Sequence, residues 1–400
     1  MIYIIILLAS FLIGFNLSVI SGTLVFLQDE ILRTPFQQEL VVGSLLIGSF
    51  LGLICIASFI DWFGRRNSLV ISFAIYFSGA ILFALSNTLD GFVVGRLLTG
   101  VALGASSVVA PMFLSEISQK ENRGGIVSLH QLLLTVGILI GYIANYLVDA
   151  SGQWRTPYAF SAFIAALGLF GAVLSKRFHF THEPVRDTKK MITLNPGIKK
   201  ALFFGIILAS LQQVTGINAI IYYAPTLLLQ EGIASRDIAL FASVGIGIVN
   251  FLMTIFAIYF IDKLGRKPLL VYGSCGMIVG LFLNLSGFYE IGTLLYIASF
   301  ASSLGPVVWV YLAEIYPEKY RGRLLTVATF FNLFFNAVVA FTSLDIISYL
   351  GVDGLYGIFI FFLIFGIFFI LRFLPETRNK SLEDIELLFH SNTQDSGTKR

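Results

Sequence analysis

The chain contains repeated apolar stretches, each about 20 residues long and almost free of charged residues. A helix of this length spans the roughly 30 Å hydrocarbon core of a bilayer, because an α-helix rises about 1.5 Å per residue. Only 12% of the 400 residues are charged, against about 25% in an average soluble domain. The stretches therefore predict an all-α integral membrane protein. They exclude a soluble fold, and their continuity excludes a barrel of short alternating strands.

We expect twelve membrane-spanning helices, called spans one to twelve below. Their predicted bounds are 2–25, 38–60, 68–88, 91–114, 125–148, 157–175, 200–224, 237–261, 268–288, 291–314, 324–349 and 355–373. The connections after even-numbered spans and the tail hold all but four of the 26 Lys and Arg residues; the four are Arg33, Arg96, Arg155 and Arg236. The positive-inside rule therefore predicts that both termini lie in the cytoplasm, and we expect the protein in the plasma membrane. We call the opposite side the outer side.

The second half of the chain repeats the first. The run Ile60–Arg66 (IDWFGRR) returns as Ile261–Lys267 (IDKLGRK), and Leu114–Ile117 (LSEI) returns as Leu312–Ile315 (LAEI), each about 200 residues later. Gly14-Phe15-Asn16 returns in the same way as Gly216-Ile217-Asn218. Such repeats characterise secondary transporters. They predict two six-helix halves, at 1–175 and 200–373, joined by a cytoplasmic linker at 176–199 and followed by a tail at 374–400.

The motifs resemble those of the sugar porters of the major facilitator superfamily, over nearly the whole chain. The matching elements are Asp61–Arg66, Asp262–Lys267, Pro111–Glu116 with Arg123-Gly124, Trp154-Arg155, Gln212–Asn218 with Tyr222–Pro225, Gly305-Pro306 with Trp309, Glu314–Gly322 and Pro375–Thr377. The resemblance implies a major facilitator fold and transport of a sugar by alternating access. Two elements depart from it. Glu183–Arg186 is a remnant of the usual element after span six, and Leu333 stands where many members carry Trp.

Amide side chains within the spans suit a sugar, because an amide both accepts and donates hydrogen bonds, as hydroxyl groups do. The resemblance assigns substrate contacts to Gln131, Gln212, Gln213, Asn218, Asn250 and Asn332, with Trp309 stacking on the sugar ring. The alternative is that these amides only form hydrogen bonds between helices.

Two groups of residues are candidate gates. Tyr222 and Tyr223 are positioned to form an outer gate, or else belong to an interfacial aromatic belt. On the cytoplasmic side, acidic and basic residues recur in both halves and are predicted to close the inner side: Asp61, Arg65, Arg66, Glu116, Arg123, Asp262, Arg266, Glu314 and Arg321. The alternative is that they only set topology.

The energy source is predicted from a coupling position. Proton-coupled sugar porters carry an Asp at the position of Asn16, near an Arg that matches Arg96, so the resemblance implies that this chain lacks the coupling acid. All 23 carboxylates fall in connections or at helix ends. We therefore expect facilitated diffusion. The alternatives are proton symport through His130 or an end-of-helix acid such as Asp29, and a non-transporting sugar sensor.

The scattered histidines offer no metal or nucleophile motif. We expect no enzymatic activity, no cofactor, no nucleic acid and no obligate protein partner. The expected partners are the sugar and the lipid bilayer.

Overall fold

The computed structural model describes residues 2–28, 31–117, 123–149, 151–175, 196–230, 235–317, 320–380 and 382–391. The linker residues 176–195, with Glu183–Arg186, lie outside this part, as do Asp29 and residues 392–400. In chain order the helices are α1 (Ile2–Leu27), α2 (Pro35–Leu85), α3 (Leu89–Ile117), α4 (Arg123–Asp149), α5 (Thr156–Leu174), α6 (Pro196–Val214), α7 (Ile217–Gln230), α8 (Arg236–Leu264), α9 (Arg266–Leu285), α10 (Tyr289–Ala301), α11 (Leu304–Ile315), α12 (Arg321–Phe373) and α13 (Leu382–Ser391).

The described residues confirm the predicted twelve spans. They contain eleven helical segments that are long and apolar enough to cross a membrane. One of these, Arg321–Phe373, has 53 residues and is interrupted at Gly351, whose φ is 71°. Since about 20 residues cross a bilayer, this segment supplies spans eleven and twelve. Helix α2 likewise carries spans two and three on either side of Gly64.

Spans seven and ten are each built from two helices. In span seven, α6 and α7 are separated at Thr215 and Gly216, and Gly216 has a φ of 98°. A Cβ at this position would also collide with the ring of Phe359, so both backbone conformation and packing require glycine. In span ten, α10 and α11 are separated at Ser302 and Ser303. Interrupted helices are a feature of transporter binding sites.

The chain folds into two compact units, each assembled from separate segments. The first unit contains Met1–Thr181, Asn218–Phe251 and Asn336–Leu355. The second unit contains His182–Ile217, Leu252–Phe335 and Tyr356–Arg400. The first unit thus combines spans one to six with parts of spans seven, eight and eleven.

Close helix packing in the first unit depends on small residues. A Cβ on Gly48 in span two would collide with the carbonyl oxygen of Leu97 in span four, and a Cβ on Gly100 would collide with that of Leu45. Small residues let the backbones of membrane helices approach closely, which replaces the hydrophobic driving force that lipid does not supply.

Candidate substrate-binding site

Three predicted site residues form one buried hydrogen-bonded cluster in the second unit. Asn332 Nδ2 donates to Gln212 Oε1 at 2.8 Å, and Gln213 Nε2 donates to Asn332 Oδ1 at 3.1 Å. None of the three is more than 6% exposed. We call Gln212, Gln213 and Asn332 the amide cluster. The structure brings together side chains from spans seven and eleven that lie about 120 residues apart in sequence.

The amide cluster also ties the interruptions of spans seven and ten together. Gln212 Nε2 donates to the carbonyl oxygens of Leu304 and Gly305, at 2.8 and 3.1 Å. In the opposite direction, the hydroxyl of Tyr296 in span ten donates to the carbonyl oxygen of Thr215, at 2.8 Å. These side chains supply partners for backbone groups beside the breaks, where lipid supplies none. Nothing in the sequence marks Tyr296, which looks like any other aromatic residue in an apolar run.

Trp309 lies in α11, one helical turn after Gly305, and is half-buried. Residues four apart lie on the same face of a helix, so Trp309 shares a face of α11 with Gly305. The carbonyl oxygen of Gly305 accepts a hydrogen bond from Gln212. Leu333, directly after Asn332, is buried.

The other predicted contact residues belong to the first unit. Gln131 lies in α4 and Asn218 at the start of α7, and both are half-buried. Asn250 in α8 is 7% exposed. His130, the alternative proton carrier, has Nδ1 2.7 Å from the hydroxyl oxygen of Ser10 in span one.

The coupling position pairs a neutral amide with a buried cation. Arg96 is 1% exposed, and its Nη1 donates to the backbone carbonyl oxygen of Asn16 at 2.8 Å. Its Nε and Nη2 have no hydrogen-bond partner among the described residues. The Asn16 amide donates instead to the carbonyl oxygen of Leu12 and to the hydroxyl of Ser161. The guanidinium is therefore close to Asn16 but only through its backbone.

The two candidate gate tyrosines are fully buried in the first unit. The hydroxyl of Tyr222 hydrogen-bonds with the side-chain amide of Asn336 at 3.2 Å. The hydroxyl of Tyr223 donates to the carbonyl oxygen of Ala340 at 2.8 Å. Both partners lie in span eleven. These hydroxyls thus bond within the protein, whereas those of an interfacial belt would face the headgroups.

A proline in span seven creates a bonding site for a helix of the first half. Pro225 has no N–H, so the carbonyl oxygen of Ile221 lacks its usual partner four residues later. The hydroxyl of Tyr142 in span five donates to that oxygen at 2.9 Å. This bond joins the two halves of the sequence within the first unit.

Glu39 in span two makes a second such connection. Its Oε1 accepts the backbone N–H groups of Leu344 at 2.7 Å and Asp345 at 3.1 Å, near the C-terminal end of span eleven. The side chain is 1% exposed, and Oε2 has no partner among the described residues. From the sequence alone, Glu39 is predicted to be an ordinary helix-end acid. The Thr34–Gln37 capping box starts the helix at Pro35, so Glu39 lies one turn inside the helix. This capping box was the sequence signal that Glu39 is not at the helix end.

An ion pair adds to these contacts. Arg236 at the start of α8 lies 2.6 Å from Asp149 Oδ1 at the end of α4, and its guanidinium stands 4.6 Å from the ring centroid of Phe26. We call the contacts made by Tyr142, Tyr222, Tyr223, Glu39 and Arg236 the outer closure, after the side on which the predicted topology places them. In every one of them a group of the second half of the sequence is held inside the first unit.

The predicted cytoplasmic charges of the second unit form a network. Arg266 Nη2 lies 2.7 Å from Glu314 Oε1 and 2.9 Å from Asp262 Oδ1. The tail joins this network, since the Thr377 hydroxyl donates to Glu314 Oε2 at 2.7 Å. Glu376 accepts the backbone N–H groups of Arg266 and Lys267, at 3.1 and 2.9 Å. A carboxylate at a helix N-terminus satisfies free donors and opposes the helix dipole, so the tail caps α9.

The remaining cytoplasmic candidates have other partners or fall outside the described side chains. Arg66 donates to the carbonyl oxygens of Ala172 and Val173 at the end of span six. Arg321 donates from Nε to the carbonyl oxygen of Tyr316. Arg65 is half-buried. The side chains of Asp61, Glu116 and Arg123 lie outside the part that the structure describes.

Twelve spans with interrupted helices, a buried amide cluster and paired charges at the Asp262–Lys267 motif define a secondary transporter of the major facilitator type. The family model described as "Sugar (and other) transporter" matches residues 2–193 and 181–389. The chain belongs to this family. Family members are transporters, which agrees with the prediction that the chain is not an enzyme.

Individual relatives cover almost the whole chain. A putative metabolite transport protein of Bacillus subtilis is 33% identical, over 94% of this chain and 92% of its own length. A D-xylose transporter of Levilactobacillus brevis is 33% identical, over 96% of this chain and 94% of its own length. A crystal structure of a D-xylose-proton symporter superposes with a TM-score of 0.82 at 29% identity, over 95% of this chain and 99% of that chain.

Proposed function

We propose that the protein moves a monosaccharide or a similar polyol across the plasma membrane by alternating access, as facilitated diffusion. The amide cluster is the observation that carries this proposal. Three buried, uncharged amides offer the donors and acceptors that sugar hydroxyls need, and Trp309 on the neighbouring helix offers a face for the C–H side of a sugar ring. The D-xylose transport of one relative supports the same substrate class.

The proposed contact residues are the amide cluster together with Gln131, Asn218, Asn250 and Trp309. Within the cluster the amides bond to each other and to backbone carbonyls. A sugar hydroxyl that binds here exchanges one hydrogen bond for another, so the net gain per hydroxyl is about 0.5–1.5 kcal/mol. Weak binding of this kind suits a solute that has to be released on the other side.

Neutral chemistry at Asn16 supports facilitated diffusion. An amide does not take up a proton in the physiological range, and the buried Arg96 beside it has no carboxylate among its described hydrogen-bond partners. The structural relative is named as a proton symporter, so proton symport is the competing mechanism. A sugar sensor without transport is the competing function.

The proposed topology has both termini in the cytoplasm and halves at 1–175 and 200–373, as the charge bias and the repeat indicate. In this arrangement Glu39, Asp149, Arg236 and Leu344 lie at outer span ends. The outer closure then serves as the outer gate of the cycle, and the Arg266–Glu314 network belongs to the inner gate. The Arg236 side chain is 45% exposed, and an ion pair exposed to water contributes only about 0–1 kcal/mol, so this part of the outer closure opens at little cost.

An uptake panel tests the proposal. The protein is expressed in a host that lacks its own sugar transporters, and uptake of radiolabelled hexoses, pentoses and polyols is measured. We expect saturable uptake of at least one of them and loss of uptake in Gln212→Ala. If correctly inserted protein takes up none of these solutes, the transport proposal is wrong and the sensor alternative gains.

A further inference from the structure

The first unit contains a polar cavity, which shares no residue with the amide cluster. Its volume is about 420 Å³, within the range of small-molecule sites. Three amides and two hydroxyls face it, supplied by Gln28, Gln38, Gln230, Thr226 and Ser348. Leu344, Ile347 and Val352 add apolar surface. We call this cavity the outer cleft.

The lining has the chemistry of a site for a neutral polyhydroxylated molecule. Amides and hydroxyls both donate and accept, and among the described residues those that line the cleft are uncharged.

One lining group has an unused hydrogen-bonding capacity. Thr226 is 6% exposed, and its hydroxyl has no partner among the described residues. Buried hydroxyls in helices commonly bond to the carbonyl four residues earlier, as Thr23 does with Val19. A buried polar group without a partner is costly, and a ligand hydroxyl in the cleft would satisfy it.

The outer closure builds the cleft. Leu344, which lines it, is the residue whose N–H donates to Glu39. Gln38 donates to the carbonyl oxygen of Leu32 at 3.0 Å, which fixes the connection between spans one and two beside the cleft. The lining comes from the described ends of spans one, two, seven and eleven and from the break between spans eleven and twelve, all of which are on the outer side in the proposed topology.

We propose that the outer cleft is a second sugar-binding site, which takes a monosaccharide from the outer side while the outer closure is formed. This inference rests on the proposed topology and substrate class. The Thr226 hydroxyl and the amides of Gln28 and Gln230 bind the sugar hydroxyls.

Cysteine protection tests the site from the outer side. Cys55 and Cys275, both exposed, are first replaced by Ser. Exposed Ser348 at the cleft then becomes the reporter in Ser348→Cys, and exposed Ser151 becomes the matched control in Ser151→Cys. Right-side-out membrane vesicles are treated with a membrane-impermeant methanethiosulfonate reagent. D-xylose, D-glucose or D-galactose is titrated through the millimolar range.

We expect at least one sugar to slow modification of Ser348→Cys but not of Ser151→Cys. Thr226→Val keeps the side-chain shape and removes the hydroxyl, so it should weaken protection by about 3–10-fold; Gln230→Leu should act in the same direction. Modification without sugar reports whether each variant retains the native fold around the cleft.

Protection should persist when Gln212→Ala removes binding at the amide cluster. The proposal is overturned if protection is absent for all three sugars, survives both Thr226→Val and Gln230→Leu, disappears with Gln212→Ala, or extends equally to Ser151→Cys. Because the readout needs no uptake, protection without transport would refute the proposed function and leave the outer cleft supported.

Discussion

Arg96 in span four donates from Nη1 to the backbone carbonyl oxygen of Asn16 in span one, at 2.8 Å. The bond places a buried guanidinium beside a side chain that does not ionise. Two further nitrogens of the same guanidinium, Nε and Nη2, have no partner in the described chain. The site therefore has the cation of a charge pair but not the carboxylate that would pair with it.

Asn16→Asp should introduce proton coupling, because a carboxylate next to Arg96 gains a titratable proton site inside the membrane. The expected result is uphill sugar uptake that an uncoupler abolishes. One charge moved through 100 mV supplies about 2.3 kcal/mol, or about fifty-fold accumulation at most. Uptake is measured in proteoliposomes with an imposed proton gradient. Asn16→Ser is the neutral control; uphill uptake in that variant, or none in Asn16→Asp, would contradict the interpretation of this position.

Gln212→Ala and Asn218→Ala should weaken sugar binding and leave membrane insertion intact. Loss of Gln212 removes the acceptor of Asn332 Nδ2 and the donor to the Leu304 carbonyl. An unsatisfied buried polar group costs about 1–3 kcal/mol, so affinity should fall by about 5–150-fold. Isothermal titration calorimetry measures the change.

Asn284→Ala is the matched control, since Asn284 is a buried amide that bonds to Thr293 and not to the cluster. Unchanged affinity in both site variants would mean that these amides only join helices.

The twelve spans and the two-fold repeat were predictable, because the length of each apolar stretch and the recurrence of each motif can be read directly from the sequence. The three residues of the amide cluster were among the predicted contact residues, but their bonds to Leu304 and Gly305 depend on where spans seven and ten are interrupted. The partner of Glu39 was not predictable, since Leu344 lies 305 residues away. The capping role of Glu376 was missed for the same reason, because the helix that it caps begins 110 residues earlier.

Glu39→Ala should loosen the outer closure, because the N–H groups of Leu344 and Asp345 lose their shared acceptor. Ala340, fully buried beside the Tyr223 hydroxyl, provides the reporter in Ala340→Cys. Its modification by an impermeant thiol reagent from the outer side should rise by about 5-fold or more. Glu39→Gln keeps a carbonyl acceptor and should have a smaller effect. Equal rates in Glu39→Ala and in the unaltered background would show that Glu39 does not hold the closure.

Glu314→Gln should weaken the inner network and bias the protein toward the inward-facing state. The change removes the charge that Arg266 meets at 2.7 Å, while the amide still accepts a hydrogen bond from Thr377. Thiol labelling from the outer side of a cysteine buried by the outer closure, such as that in Ala340→Cys, should therefore fall. Glu290→Gln serves as a control, because Glu290 lies at the opposite end of span ten in the proposed topology. If labelling rises or stays constant, Glu314 only helps to set the membrane topology and does not hold the inner gate.

Uptake by the unaltered protein under an imposed proton gradient tests the central claim most directly. Purified protein is reconstituted into proteoliposomes, and internal free sugar is measured with and without an uncoupler. Facilitated diffusion predicts that internal sugar reaches the outside concentration and no more, that preloaded vesicles show counterflow, and that the uncoupler changes neither result. Accumulation above the outside concentration that the uncoupler abolishes would contradict the account and establish proton symport.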